Sequence, residues 1–469
     1  MISNLIPYHK YKQTGIPWIG YIPAHWEMTK FGRVLCERGE VNTDEKIIDV
    51  LSVMKAKGVI PYKEKGNIGN KKSDDITRYK IVRPDDIVMN SMNVIIGSVG
   101  LSKYTGCLSP VYYVLKVKSS QNNPKYFALF FEAKPFQRSL VRIGNGILAH
   151  RMRIPMELLK YEPFLVPPLD EQAAIVRFLD HTGSRIKRYI RAKQKLIKLL
   201  NEQKQAVIHQ AVTRGLDPNV PLKPSGVEWL GDIPEHWELC RIKQVTQILR
   251  GKFTHRPRND PSLYDGDYPF IQTGEVARAT KKITGYKQTL NNKGLAVSKM
   301  FPAGTLLMTI AANIGDVAIL DFEACFPDSI VGFVPKEIVN RDYLYYLFCA
   351  MKPEFLREAP VNTQGNLNVE RIGGKMIVIP PLSEQFKIIY KIEEETLIFE
   401  KAIEDSIKHI SLLQEYHTRL IADVVTGKLD VRTAASQLPA ELEELEPVED
   451  LAEEIEELED TEESIAEET

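Results

Sequence analysis

The sequence predicts an α+β protein made twice: two tandem α+β domains alternating with two long helices, the whole an internal repeat. Three observations predict it. A proline-led stretch of about forty residues occurs at Asp170–Thr213 and again at Ser383–Thr426, at a constant offset of 213 residues. A segment carrying two tryptophans occurs near the start of each domain. The divergent regions of about 140 residues in between share a skeleton of strand and turn signals.

The long stretches come first, because their physics is the plainest. One opens Val166-Pro167-Pro168-Leu169-Asp170-Glu171-Gln172, the other Ile379-Pro380-Pro381-Leu382-Ser383-Glu384-Gln385. The prolines stop the preceding element, and Asp170 and Ser383 are the expected caps of the first turn. Acidic residues follow, where the helix dipole favours them. Apolar residues then recur three and four apart: Ile175, Leu179, Ile186, Ile190, Ile197, Leu200, Val207 and Ala211, then Ile389, Ile392, Phe399, Ile403, Ile410, Leu413, Leu420 and Val424. A seven-residue repeat of this kind is a coiled-coil seam. A helix of that length spans roughly 63 Å, so the two copies are expected to pack on each other as a rod. Two ordinary long helices, each in its own domain, are the alternative. Gly183 costs about 1 kcal/mol inside a helix, and a kink or a shorter rod is expected there.

At 469 residues the chain suits two or three domains. No run of about eighteen apolar residues exists, so no membrane partner is expected. The first twelve residues lack the basic-then-apolar pattern of a signal peptide. Five scattered cysteines without a Cys-x-x-Cys pair read as small core residues in a reducing cytoplasm. The net charge of −1 conceals a strong asymmetry: residues 438–469 hold sixteen acids and no Lys or Arg. That leaves 46 acids against 61 Lys and Arg in residues 1–437, a net of about +15. A basic body points to a polyanion partner.

All four tryptophans lie in the other repeated segment, Gly15-Ile16-Pro17-Trp18-Ile19-Gly20-Tyr21-Ile22-Pro23-Ala24-His25-Trp26-Glu27 and Gly226-Val227-Glu228-Trp229-Leu230-Gly231-Asp232-Ile233-Pro234-Glu235-His236-Trp237-Glu238. Large rings beside Gly and Pro suit a packing motif; rings that stack on bases are the alternative. Between the repeats, Pro84-Asp85-Asp86-Ile87-Val88-Met89 matches Pro302 to Met308. Ile96-Gly97-Ser98-Val99 matches Ile314-Gly315-Asp316-Val317. Each pair reads as a turn, a buried strand, a glycine turn and another strand. Tyr126–Leu140 and Tyr343–Leu356 read as matching helices.

In this order, and twice over, the motifs closely resemble those of the specificity subunit of type I restriction–modification enzymes. The resemblance covers residues 12–430. Pro17 against Glu228, Gly183 and the acidic tail depart from the pattern. It implies target recognition domains at 1–166 and 217–379, each reading one half of a split double-stranded DNA site. It implies an antiparallel coiled coil from the helices at 167–216 and 380–430, which holds the domains apart and docks two modification (methyltransferase) subunits. Restriction (endonuclease/translocase) subunits complete the complex, and S-adenosylmethionine, ATP and Mg2+ belong to partner subunits, none to this chain. It assigns docking or structural roles to Trp18, Trp26, Pro168, Glu171, Gln172, Trp229, Trp237, Pro381, Glu384 and Gln385. The pseudo-two-fold repeat suits a duplex with approximate dyads, and the rod then sets the gap between half-sites. If the symmetry is real, the region near Asp430 lies beside Tyr11.

Arg reads guanine, Asn and Gln read adenine, and Lys and Arg hold phosphates. Candidate DNA-binding residues in the first domain are Lys55, Lys57, Tyr62, Lys63, Asn67, Lys71, Asn90, Asn93, Arg142, Asn145 and Arg151. In the second they are Arg250, Lys252, Arg256, Arg258, Gln272, Lys281, Asn313, Gln364, Asn366 and Arg371. Intrinsic catalysis is not expected. There is no Asn-Pro-Pro-aromatic loop and no phosphate loop, and Asp85 with Glu132 and Lys134 is the best nuclease cluster available. A scaffold whose domains do not read DNA is the competing function. The tail, 431–469, is expected to be disordered and acidic, either solubilising or competing with DNA for the basic surface.

Overall fold

The computed structural model describes residues 5–55, 57–66, 71–146, 152–357 and 367–439. The chain forms two compact units. One is Met1–Gln194 with Ile407–Thr469; the other is Lys195–Ser406. The long helices, Leu169–Arg214 and Leu382–Val425, are therefore divided between the units instead of forming domains of their own, which corrects the expected boundaries. The seam explains the division. None of the predicted seam residues is exposed, and those at the helix ends enter the unit cores: Ile175, Leu179, Leu420 and Val424 in one, Ala211 and Ile392 in the other.

Within the first unit the start of the first long helix packs against the end of the second. A Cβ placed on Gly183 would lie 3.0 Å from Nε2 of His417. The helix continues through Gly183 to Arg214, so the glycine does not shorten it; the glycine makes room for the histidine ring. Within the second unit the end of the first helix meets the start of the second, where Lys204 Nζ is 2.6 Å from Glu400 Oε1. Both pairings are antiparallel. The helices begin at Leu169 and Leu382, so Pro168 and Pro381 precede the first turn and Asp170 and Ser383 lie inside it. Proline takes this position well because it fixes φ and lacks only an N–H that would be unpaired there.

The shared frame is visible in the sheets. In the first unit Leu35–Glu37, Tyr112–Val117, Ile87–Asn90 and Val99–Leu101 form an antiparallel sheet in that order. In the second unit the order is Thr246–Arg250, Ile330–Pro335, Leu306–Thr309 and Val317–Leu320, extended by a parallel Lys282–Ile283. The central strands are β-branched and aliphatic, and almost all their residues are buried. Each unit also pairs the strand after its tryptophan motif with the strand before its long helix: Glu27–Lys30 with Pro163–Val166, and Glu238–Arg241 with Met376–Ile379.

The differences are local. The expected helix over 126–140 is two helices, Pro124–Glu132 and Lys134–Ser139, broken where Pro135 follows Lys134. Its counterpart, Arg341–Arg357, runs unbroken through Pro353. The first unit adds a hairpin, Leu51–Met54 with Gly58–Pro61. The second adds a four-stranded sheet around Phe253, Leu263, Phe270, Leu290 and Cys325. Residues 431–436, expected to belong to a disordered tail, are ordered: Arg432–Ser436 is helical, and Val431 and Ala435 are buried. Residues 440–469 lie outside the described residues.

Candidate nucleic-acid interface

In each unit a loop joins two neighbouring antiparallel strands of the sheet, Ile87–Asn90 to Val99–Leu101 and Leu306–Thr309 to Val317–Leu320. Ser91–Ser98 in the first unit holds a short turn, Val94–Ile96, and Gly97 at φ +98°. The Asn90 side chain accepts a bond from Met92 N at 3.0 Å, and Asn93 O accepts from Ile96 N and Ser98 N. In the second unit Ala312 takes φ +57° and Gly315 φ +82°. Thr309 Oγ1 donates to the carbonyl of Asn313, whose side chain stays exposed. A non-glycine residue held in the left-handed region is a mark of functional loops.

A second predicted stretch docks on each loop, through the same bond. Ile154 N donates to Ser91 O at 2.9 Å, and Leu367 N donates to Ile310 O at 2.9 Å. Asn145 and Arg153 exchange backbone bonds just before that contact. The structure thus brings Asn90, Asn93 and Asn145 to one end of the first sheet, while Arg142 pairs with the Glu162 carboxylate. It brings Asn313 to the matching end of the second sheet, next to the segment that carries the exposed Arg371. Asn67, Arg151, Gln364 and Asn366 lie outside the described residues.

The remaining candidates are scattered. Lys55 and Lys57 flank the turn of the added hairpin, whose Gly58 packs against Gly100. Tyr62 accepts from Lys72 N at 2.8 Å, and Lys63 and Lys71 are exposed, as are Arg250 and Lys252. Arg256 and Arg258 share the Asp328 carboxylate at 3.4 and 2.6 Å, so the pair offers one net charge. Gln272 bonds Gln288 and begins a short helix. Lys281 must be reassigned. It sits 2.8 Å from Asp342 and 2.5 Å from Glu393, over the Tyr346 ring. A lysine neutralised twice is part of the internal frame, and both partners are far away in sequence.

Several of the residues predicted for docking or structure make bonds within their own unit. Trp26, Trp237, Gln172 and Gln385 are fully buried. Gln172 bonds Pro167 O and Asn123 N, both at 2.8 Å; Gln385 bonds Pro380 O at 2.8 Å and Asn340 N at 2.7 Å. Each glutamine thereby ties the Pro-Pro turn to the helix that follows the sheet. Glu171 accepts from Tyr8 and lies 2.8 Å from His25; Glu384 lies 2.8 Å from His236. Trp18 and Trp229 are partly buried against their cores. The predicted proximity at the chain ends holds: Ile6 pairs with Asp430, and the Tyr11 hydroxyl donates to Lys428 O at 3.1 Å. Sequence reasoning missed Tyr8, His25, His236, Asn123 and Asn340. The signal for most of them was present, since His25/His236 and Asn123/Asn340 recur at matched positions.

The nuclease cluster is not assembled. The charges acting on Glu132 are Lys187, Asp180 and Lys125, and burial pushes its carboxyl up to about 7. Among the described residues no group of three or more His, Cys, Asp or Glu is placed to hold a metal.

The model of the type I restriction modification DNA specificity domain matches residues 39–198 and 234–409. The chain belongs to this family of specificity subunits. The two matches fall on the two copies of the repeat, and the family is the non-catalytic DNA-recognition component of its complex. The MjaX type I restriction enzyme specificity subunit of Methanocaldococcus jannaschii is 24% identical over 92% of this chain and 99% of its own length. The MjaVIII specificity subunit of the same organism is 22% identical over 88% of this chain and 94% of its own. A chain from a solved type I R-M system, described for its complex assembly and conformational transition, superposes with a TM-score of 0.64. It is 15% identical and covers 87% of this chain and 99% of that one; that likeness concerns the fold. Among the described residues no helix is long and apolar enough to cross a membrane.

Proposed function

We propose that each unit reads one half of a split duplex site with its paired loops: Asn90, Asn93, Arg142 and Asn145 in one, Asn313 and Arg371 in the other. The observation that carries this reading is the matched bond, Ile154 to Ser91 and Leu367 to Ile310. One frame presents two loops at the same end of the sheet, with different polar side chains in each unit. That is what two related but unlike half-sites require. The remaining exposed cations serve the phosphates.

The partners follow from the second long helix. Phe386, Tyr390 and Leu397 share one face at helical spacing and are 59%, 69% and 64% exposed. Large apolar side chains grouped on one face mark a protein docking site. We assign this face to a modification subunit. Two such subunits and the restriction subunits complete the assembly, and S-adenosylmethionine, ATP and Mg2+ reside on them. The complex works where its DNA is, in the cytoplasm.

The test is duplex binding by the full chain assembled with its modification subunit, in competition against random DNA. Preference for one duplex sequence, reduced by Asn313→Ala and by Asn93→Ala, supports the reading. An assembled complex that binds all duplexes equally, or none, makes the chain a scaffold.

A further inference from the structure

Leu438 and Pro439 lead into the acidic tail from a fixed place. Leu438 packs against the core of the first unit. The Arg177 guanidinium, on the first long helix, donates through Nη2 to Leu438 O at 2.6 Å and to Pro439 O at 3.1 Å. Residues 440–469 follow, with sixteen acids and no Lys or Arg. Arg177 therefore anchors the point from which a strongly negative segment leaves the unit.

The helix is polarised about that point. At about 100° per residue, Asp170 lies about 20° from the line of Arg177 on the side of the helix start. On the other side residues 181–194 hold no acid and include Arg185, Lys187, Arg191 and Lys193. Arg185 and Arg191 flank the line of Arg177 at about 80° and about 40°. Both are exposed, and among the described residues neither is paired with an acid. The repeat supplies a control. At the constant offset, Arg177, Arg185, Lys187 and Arg191 become Tyr390, Ile398, Glu400 and Glu404 in the second long helix. The basic face is thus no part of the shared frame. It belongs to the one helix that holds the root of the tail.

Arg191 lies about 21 Å beyond Arg177 along the axis, a span that about seven extended residues cover. The first residues of the tail include Glu441, Glu443, Glu444 and Glu446. One exposed ion pair is worth little. A segment tethered at the edge of the face meets it at high effective concentration, so several weak pairs suffice. We infer, independently of which residues read the duplex, that the acidic tail docks along the basic face of the first long helix from Arg177 to Arg191 and excludes duplex DNA from it.

The experiment treats the full chain with a carbodiimide, which joins a carboxylate to a lysine amine in direct contact, and maps the links by mass spectrometry. Tail acids are expected to link to Lys187 and Lys193. Arg185→Glu with Arg191→Glu leaves both lysines in place and is expected to reduce these links about three- to tenfold. Raising salt from about 0.1 to about 1 M, which shortens the screening length from about 10 to about 3 Å, should act in the same direction. A chain ending at Pro439 is expected to bind a random-sequence duplex about three- to tenfold more tightly at low salt. Tail links spread over lysines throughout the chain, or none to Lys187 and Lys193, would overturn the docking; the wild-type map decides this even if the double variant does not fold. Links that join a light chain to a 15N-labelled one would place a second copy's tail on the face and also overturn it. Equal duplex affinity of the full and shortened chains would overturn the exclusion.

Discussion

Glu171 and Glu384 hold the same place in the repeat but differ in surroundings. The Glu171 side chain is 2% exposed and takes bonds from both Tyr8 and His25; that of Glu384 is 26% exposed and has His236. In the second unit the end of a long helix runs covalently into the tryptophan motif: Gly215, at φ +75°, sits against the Trp237 ring. In the first unit Gly427, at φ +76°, meets Trp26 and Pro23 in the same way, but its partner segment begins near the opposite chain end. The junction must be closed without a peptide link, against loop-closure entropy. Additional bonds gather there: the Ile6–Asp430 bridge, Tyr8 on Glu171, and Arg432 between Asp430 and the face of the Tyr8 ring at 5.3 Å. By the register of the tryptophan motif Tyr8 corresponds to Asn219, so the repeat itself did not supply this contact. Shared residues build the frame, and unshared ones meet demands that differ between the copies.

The largest expected effect separates these two latches. Glu171→Ala leaves a buried tyrosine hydroxyl and a histidine without their acceptor and should cost the first unit about 2–4 kcal/mol; Glu384→Ala should cost the second about 1 kcal/mol. Urea unfolding followed by tryptophan fluorescence compares them, and equal losses would mean that the extra bonds carry no stability. Next is Glu132, whose repeat counterpart is Cys349. Burial raises its folded pKa to about 7, so the folded chain holds a proton that the unfolded chain has already released. Stability therefore falls as pH rises from the ordinary carboxylate range to about 7, and the loss is complete above that. Glu132→Gln should gain about 1–3 kcal/mol at pH 8 and nothing at pH 4, read from melting curves at the two pH values. Smaller still is Tyr8→Phe, which removes one of two bonds to Glu171 and should cost about 1 kcal/mol. Asn219→Ala should cost less than half of that, measured in the same unfolding series.

Much of the frame was legible because the chain states it twice. The seam residues, the buried strands after Pro84 and Pro302, and the meeting of the chain ends all follow from periodicity and repeat order. The failures have a common cause, which is that the deciding contact comes from a distant part of the chain. Gly183 reads as a helix blemish until His417 is placed beside it. Lys281 reads as a surface cation until Glu393 and Asp342 reach it. The candidate site was legible as stretches and not as geometry. The pairing of the Asn90 and Asn313 loops with the segments at Ile154 and Leu367 depends on two backbone bonds that no side chain announces.

The most direct measurement is a single-base methylome of a methylation-free host that expresses this chain with its modification subunit. The account predicts one motif in two short defined parts around a fixed undefined gap, with Asn93→Ala and Asn313→Ala altering different parts. An undivided motif, or an assembled and cofactor-supplied complex that leaves no sequence-dependent methylation, would contradict it.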